Sequence, residues 1–312
     1  MHLIIPYAAI HSGGFADVMR RLQLPNLQKL LTRLSPLPLD VGDESSLTPP
    51  HERALARALG LSAGDGQLPW AARQAQQLGL GDAGSAWAFI TLCHWQVSSG
   101  HVTMSPLPPL PQTESDDLRA AMQPYFAEDG ITLHAHQPGC WLAQADIFAD
   151  LASASPDRVI GRNLQAWMPE SNQAAPLRRL QNEMQMLLYT HPVNDARDAQ
   201  GLSPINSVWF SGTGALPADY QAPDSQAQPR MLDTLRESAL TQDTAAWQQA
   251  WQKLDASEIA ALLPAAASGQ PIELTLCGER SSQSWHTQPQ SVWQKFKHIF
   301  GSKPLSTLLE KL

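Results

Sequence analysis

Residues Leu177 to Gly214 constrain this chain most, because a helix, a polar joint and an apolar strand follow one another there without filler. Pro176 suits the first helical position. Leu177, Leu180, Met184, Leu187 and Leu188 recur at helical spacing, so one helix face is buried. Pro192 lacks an N–H and disfavours a helical conformation at His191. The helix is therefore expected to stop there, leaving Asn194, Arg197 and Gly201 in a loop. Ile205, Val208, Trp209 and Phe210 read as a strand running into a Ser211-Gly212-Thr213-Gly214 turn. Two readings of this convergence stand. In one it is a helix-loop-strand joint whose asparagines satisfy backbone groups. In the other Arg197 forks onto an anion cradled by amides around Gly212 and Gly214, with Asn194, Asn206 and Arg162 as further contacts.

At 312 residues the chain suits one large α/β domain with an insertion, or two modest domains. Its net charge of -8 argues against a general nucleic-acid or anionic-membrane surface, since those need clustered Lys and Arg. The expected partner is a small anionic ligand or another protein. Cys93, Cys140 and Cys277 are far apart, lack a C-x-x-C pair and fit a reducing cytoplasm. No stretch is apolar enough to cross a bilayer, and the start lacks the pattern of a secretory signal.

Leu3 to Ala8 reads as a buried first strand opening onto a His11-Ser12-Gly13-Gly14 turn, where α/β folds often place chemistry. Helices are expected around Val18 to Leu22, from Leu24 to Leu34, from His51 to Leu61 and from Leu68 to Leu78. Ala86 to Val97 reads as a strand, the proline-rich Ser105 to Gln112 as a stiff connection, and Ser115 to Phe126 as a helix. Ile131 to His136 alternates, putting His134 and His136 on one strand face. No third metal ligand is identifiable for them, so that face is read as exposed. Arg158, Arg162, Arg178, Arg179 and Arg197 concentrate positive charge. Solvated helix faces account for Arg178 and Arg179, whereas Arg162 and Arg197 suit a bidentate phosphate contact. Three short helices are expected at Met231 to Ala239, Thr244 to Leu254 and Ser257 to Leu263, then a strand at Ile272 to Gly278 and helices at Val292 to Phe300 and Leu305 to Leu312.

The run Leu188-Tyr189-Thr190-His191-Pro192-Val193-Asn194-Asp195-Ala196-Arg197, with Gly201 and Pro204 to Gly214, resembles a signature of archaeal-type cofactor-independent phosphoglycerate mutases, members of the alkaline phosphatase superfamily. Leu24 to Leu31 is similar to a helix that superfamily places soon after its first strand, and the whole chain resembles the proteobacterial RpfE-type regulatory proteins. The resemblance implies an α/β fold with a trimmed alkaline-phosphatase-like core, residues 1–97 and 204–312, and an inserted cap-like α+β region, residues 98–203. It also implies two divalent metals held by Asp and His beside a Ser or Thr nucleophile. The chain departs from that pattern. Its first strand ends Ile5-Pro6-Tyr7-Ala8 and its last Cys277-Gly278-Glu279, where the family carries Asp-Gly and Asp-His, and it contains no Asp-His dipeptide. No metal and no cofactor are therefore expected. Catalytic residues are unassigned, and the anion is assigned to Arg162, Asn194, Arg197, Asn206, Gly212 and Gly214. On that assignment Arg197→Ala would weaken ligand binding without unfolding the chain. A second hypothesis is an active phosphomutase or phosphatase using His11, Ser12, His94 and Glu279. A third is an interaction module in which the Trp-rich helices between Thr244 and Leu263 present an exposed patch to a protein partner.

Overall fold

The computed structural model describes residues 1–82, 84–98, 100–169, 171, 174–224, 228–287 and 305–312. It resolves into two units, 1–45 with 49–61 and 222–312, and 46–48 with 62–221. The second unit is wider than the 98–203 insertion expected from the sequence, because the strands on either side of that insertion pair with each other.

The first unit is built on a five-stranded sheet. Strands β1 (His2–Ile5), β2 (Ser35–Pro36), β8 (Arg230–Met231), β9 (Glu273–Cys277) and β10 (Ser282–His286) lie in the order β2-β10-β9-β1-β8, with β1 parallel to β8 and β9. Both faces are covered, which explains the unbroken apolar run Leu3-Ile4-Ile5. Leu3 and Ile5 point into a core shared with helices α1 (Phe15–Arg21) and α2 (Pro25–Leu31), while Ile4 meets Ala54 of α3 (Pro50–Ala58) on the other face. Strand β10 was not legible in its polar Ser-Gln-Ser-Trp-His sequence. It is held by the β9 ladder and by a 2.7 Å hydroxyl contact between Thr275 and Ser284.

Helix α9 (Arg236–Leu240) precedes α10 (Thr244–Leu254), which runs through a π turn at Asp255–Ile259 directly into α11 (Ala260–Ala267). The π turn has a structural use. It buries Asp255, whose carboxylate accepts from Leu27 N at 2.7 Å and Asn26 N at 3.2 Å and so caps α2. Trp247 and Trp251 are both fully buried in an edge-to-face pair with centroids 6.3 Å apart. They are core, so they present no exposed patch to a partner. Helix α12 (Leu305–Leu309) adds Leu305, Leu309 and Leu312 to the same core, while the expected helix at 292–300 lies outside the described residues.

The second unit is an antiparallel sheet of β3 (Ala86–Ser98), β4 (His101–Ser105), β5 (Thr132–Gln137), β6 (Cys140–Gln144) and β7 (Ser207–Ala215) in the order β4-β3-β6-β5, with β7 also on β3. Helices α5 (Gln112–Glu128) and α7 (Ala175–Tyr189) pack one face through Leu118, Met122, Phe126, Leu177, Leu180 and Met184. Helix α4 (Trp70–Gln77) packs the other through Ala71, Ala72 and Ala75. Helices α6 (Pro156–Val159) and α8 (Pro192–Ala199) complete the unit. The expected turn at Ser211 to Gly214 is instead the continuation of β7, paired with Trp87 and Phe89 around a bulge. His134 and His136 do share a face, their rings 5.1 Å from Trp87 and 5.9 Å from Phe89, and burial lowers the pKa of both. Among the described residues no helix is long and apolar enough to cross a membrane.

Candidate functional site

The residues assigned to an anion by the sequence sit in the second unit, and there they tie the chain to itself. Helix α7 ends at Tyr189, just before His191-Pro192 as expected, but Pro192 also opens α8, so Asn194 and Arg197 lie on a helix and not in a loop; His191 caps that helix by accepting from Val193 N at 3.2 Å. A proline's missing N–H costs nothing at that position. Asn194 and Arg197 therefore share a helical face. Asn194 donates to Leu188 O and Ile205 O, both at 2.7 Å, and accepts from Ile205 N at 2.8 Å, stapling the end of α7 to the approach of β7. Asn206 exchanges a similar pair with Trp95, accepting from its N at 2.6 Å and donating to its O at 2.8 Å. Among the described residues Arg197 is the largest charged side chain that is fully buried. Its Nε donates to Ser203 O at 3.0 Å and its Nη1 to Glu114 Oε2 at 3.2 Å.

Gly212 and Gly214, at φ +61° and +133°, make room for α4. A Cβ on Gly212 would lie 3.0 Å from the Phe89 ring and 3.1 Å from Trp70, and one on Gly214 would lie 3.2 Å from Pro69. Arg162 lies 5.9 Å over the Trp167 ring. The contacts at Asn194, Arg197, Asn206 and both glycines are those of a joint: polar groups meet backbone or carboxylate, save Arg197 Nη2, which is buried without a hydrogen-bond partner, and the glycines meet a helix.

A different group gathers at the carboxyl ends of β1 and β9, where α/β sheets place ligands. Ala8 N donates to Cys277 O at 2.7 Å, tying the chain to the last residue of β9 three residues beyond the end of β1. His11 N donates to Glu279 Oε2 at 2.8 Å, His11 Nδ1 lies 3.8 Å from that oxygen, and Ser12 Oγ donates to Glu279 Oε1 at 3.5 Å. Three of the four residues of the second hypothesis therefore meet. The fourth, His94, belongs to β3 of the other unit, with its Nδ1 2.9 Å from Pro204 O.

Around this group stand residues that sequence reasoning missed. Tyr7 takes φ +56°, and its ring lies 5.6 Å from that of His51, a side chain only 5% exposed. The indoles of Trp247 and Trp251 donate to Tyr7 O at 3.0 Å and Ala8 O at 3.3 Å. Nothing in the local sequence signals these contacts, since they join residues some 240 positions apart.

Asp40 sits between Arg53 and Arg57, whose nitrogens lie 3.1 and 3.0 Å from its Oδ2, and Arg53 also donates to Arg280 O at 2.8 Å. Burial pushes the Asp40 carboxyl up, but the two guanidiniums outweigh it and hold the group below its ordinary value. A carboxyl depressed in the folded state contributes stability that is present above its unfolded pKa, about 4, and is lost as pH falls through the folded value. Asp40→Asn is therefore expected to cost about 1 kcal/mol at pH 7, with the gap to the parent closing below about pH 4. Urea titrations at pH 7 and pH 3 check this, and an undiminished gap at pH 3 would show that charge is not what Asp40 contributes.

The two-metal centre implied by the resemblance does not fit these donors. Glu279 is the carboxylate at the strand ends, and it is already engaged by His11 N and Ser12. Among the described residues no group of three or more His, Cys, Asp or Glu could hold a metal ion.

No family model matches the chain. Over 136 residues it is 24% identical to the 2,3-bisphosphoglycerate-independent phosphoglycerate mutase of Methanosarcina barkeri (strain Fusaro / DSM 804), a match that covers 41% of this chain and 31% of that enzyme. The chain thus matches less than a third of the length of this curated relative. Among solved structures it is similar to the cofactor-independent phosphoglycerate mutase from Thermoplasma acidophilum DSM 1728, at 13% identity and a TM-score of 0.37, over 100% of this chain and 98% of that one. It is also similar to the PH0037 protein from Pyrococcus horikoshii, at 13% identity and a TM-score of 0.46, over 92% of this chain and 87% of that one.

Proposed function

We propose that this chain is a metal-independent relative of the phosphoglycerate mutases that binds a small phosphorylated or carboxylate ligand at the carboxyl ends of β1 and β9, in a regulatory role like that of the RpfE-type proteins it resembles. The observation that carries the proposal is the strand-end group itself. Tyr7, His11, Ser12 and Glu279 occupy the position where α/β sheets take ligands, yet they do not supply the carboxylate and imidazole set that two-metal phosphoryl transfer needs. The sequence match to a mutase supports a phosphorylated hydroxy acid as the ligand class. The free Cys93, Cys140 and Cys277 support a reducing cytoplasm as its place of work.

Isothermal titration of the full chain with phosphoglycerate, with and without EDTA, tests this together with elemental analysis and mutase and phosphatase assays. Saturable binding unaffected by EDTA, without turnover, is the expected result. About two manganese or zinc ions per chain with turnover would overturn it.

One observation favours the enzyme reading instead. Ser12 Oγ lies 3.5 Å from a Glu279 oxygen, within reach of a base that could take its proton during nucleophilic attack. Under that reading Ser12→Ala abolishes a measurable turnover; under the binding reading there is no turnover to lose.

A further inference from the structure

We propose that residues 305–312 are a built-in competitor of the ligand: they strap the carboxyl ends of β1 and β9, and a phosphorylated or carboxylate ligand binds there by displacing them. This rests on the reading of those strand ends as the ligand site and adds how access to it is governed.

The segment touches both strand ends. Beyond β1, His11 Nε2 lies 3.2 Å from Glu310 O. Beyond β9, the consecutive N–H groups of Arg280 and Ser281 donate to Leu312 O at 3.3 and 2.9 Å. Two successive backbone N–H groups converging on one oxygen form a nest, the arrangement with which a turn holds an anion. Here the chain's own oxygen fills it. The Arg280 guanidinium is paired with Glu44 at 3.4 Å, and the Glu279 carboxylate meets His11 N and Ser12. What a ligand oxygen would take over is therefore the pair of amides and the His11 imidazole.

Gly278 shows how closely the segment is seated. Its φ is not positive, so conformation does not call for glycine, yet a Cβ there would lie 2.5 Å from Leu312 O and 2.7 Å from Leu312 Cβ. Only a residue without a side chain lets the Leu312 backbone lie against the end of β9. Leu305, Leu309 and Leu312 anchor the strap, none of them more than 5% exposed. Its helix has five residues, too few to hold itself, so docking is what orders it. Ligand and segment compete for the same groups, and each weakens the other's hold by the same factor.

Gly278→Ala wedges Leu312 off β9 and leaves the three leucines unchanged. In isothermal titration of the full chain this variant is expected to bind phosphoglycerate about tenfold more tightly than the parent, because its intramolecular competitor is weakened. Leu309→Ala loosens the strap from its other end and is expected to move affinity in the same direction, which a mere change in the 278–281 turn would not do. In the parent, saturating phosphoglycerate is expected to speed hydrogen exchange at Glu310 N and Leu312 N, which donate to Ser306 O and Leu309 O. Should either variant fail to fold, judged by the fluorescence of the buried Trp247 and Trp251, the other variant and the exchange measurement decide. Equal or weaker binding by a folded variant, or exchange in 305–312 unmoved at saturation, would overturn the competitor while leaving a binding protein. Binding by neither the parent nor a folded variant would overturn the ligand reading itself.

Discussion

Arg197→Ala is expected to destabilise the second unit by about 3–5 kcal/mol, seen as a lowered urea midpoint with little change in slope. Its side chain is 1% exposed and spans two partners, the Ser203 carbonyl and the Glu114 carboxylate. Truncation leaves Glu114, itself only 21% exposed, without its counter-charge, strips the Ser203 carbonyl of its donor and opens a cavity beneath α8. Arg197→Met in a Glu114→Gln background removes both charges while keeping much of the volume, and should recover part of the loss. This reverses the expectation drawn from the sequence, that Arg197→Ala would leave the fold intact and weaken a ligand. A variant with the parent's midpoint and weakened phosphoglycerate binding would restore the anion role.

Gly212→Val is expected to cost about 2–5 kcal/mol. Placing an L residue at φ +61° contributes roughly 1–2 kcal/mol, and forcing a branched side chain against the Phe89 ring and Trp70 contributes roughly 1–3 kcal/mol more. The loss should appear as a cooperative drop in the melting temperature, with local loss of hydrogen-exchange protection in α4 and β7. Gly139→Val, at φ +79° but with its nearest neighbour 3.8 Å away, should lose mainly the conformational part and so serves as the control. Equal losses at the two positions would mean that the closeness of α4 to β7 is not what Gly212 provides.

Both variants bear on how the mutase-like run from Leu188 to Gly214 is understood. In this chain most of its polar groups are engaged in architecture, Arg197 Nη2 excepted. Asn194 and Asn206 act as substitute backbone, Arg197 as a buried tie, and the glycines as spacers under a helix. A motif can thus be kept for the joint it makes, and the chemistry has to be sought elsewhere. We place the proposed ligand site in the first unit, where two parallel strands end together.

Much of the secondary structure was legible in the sequence. Periodic leucines announced α7, alternation announced β5, and the apolar run at Leu3-Ile4-Ile5 announced a strand covered on both faces, because burial on a regular element imposes its period on the residues. The departures from Asp-Gly and Asp-His at the strand ends were visible as well, since they depend only on residue identity.

Other features were decided by tertiary contacts alone. That Pro192, after marking the end of α7, also begins α8 depends on the following residues finding a buried face, which Val193 and Arg197 do. Whether Gly212 to Gly214 turn or continue depends on β3 offering a partner strand. The positive φ of Tyr7 is set by two indoles about 240 residues away, and the meeting of His11 and Ser12 with Glu279 by the parallel pairing of the first strand with one near the other end of the chain. Local sequence records how a segment buries its own faces. Which distant groups then spend or free its polar atoms is recorded only in the assembled structure, because those hydrogen bonds form between segments whose patterns are independent of each other.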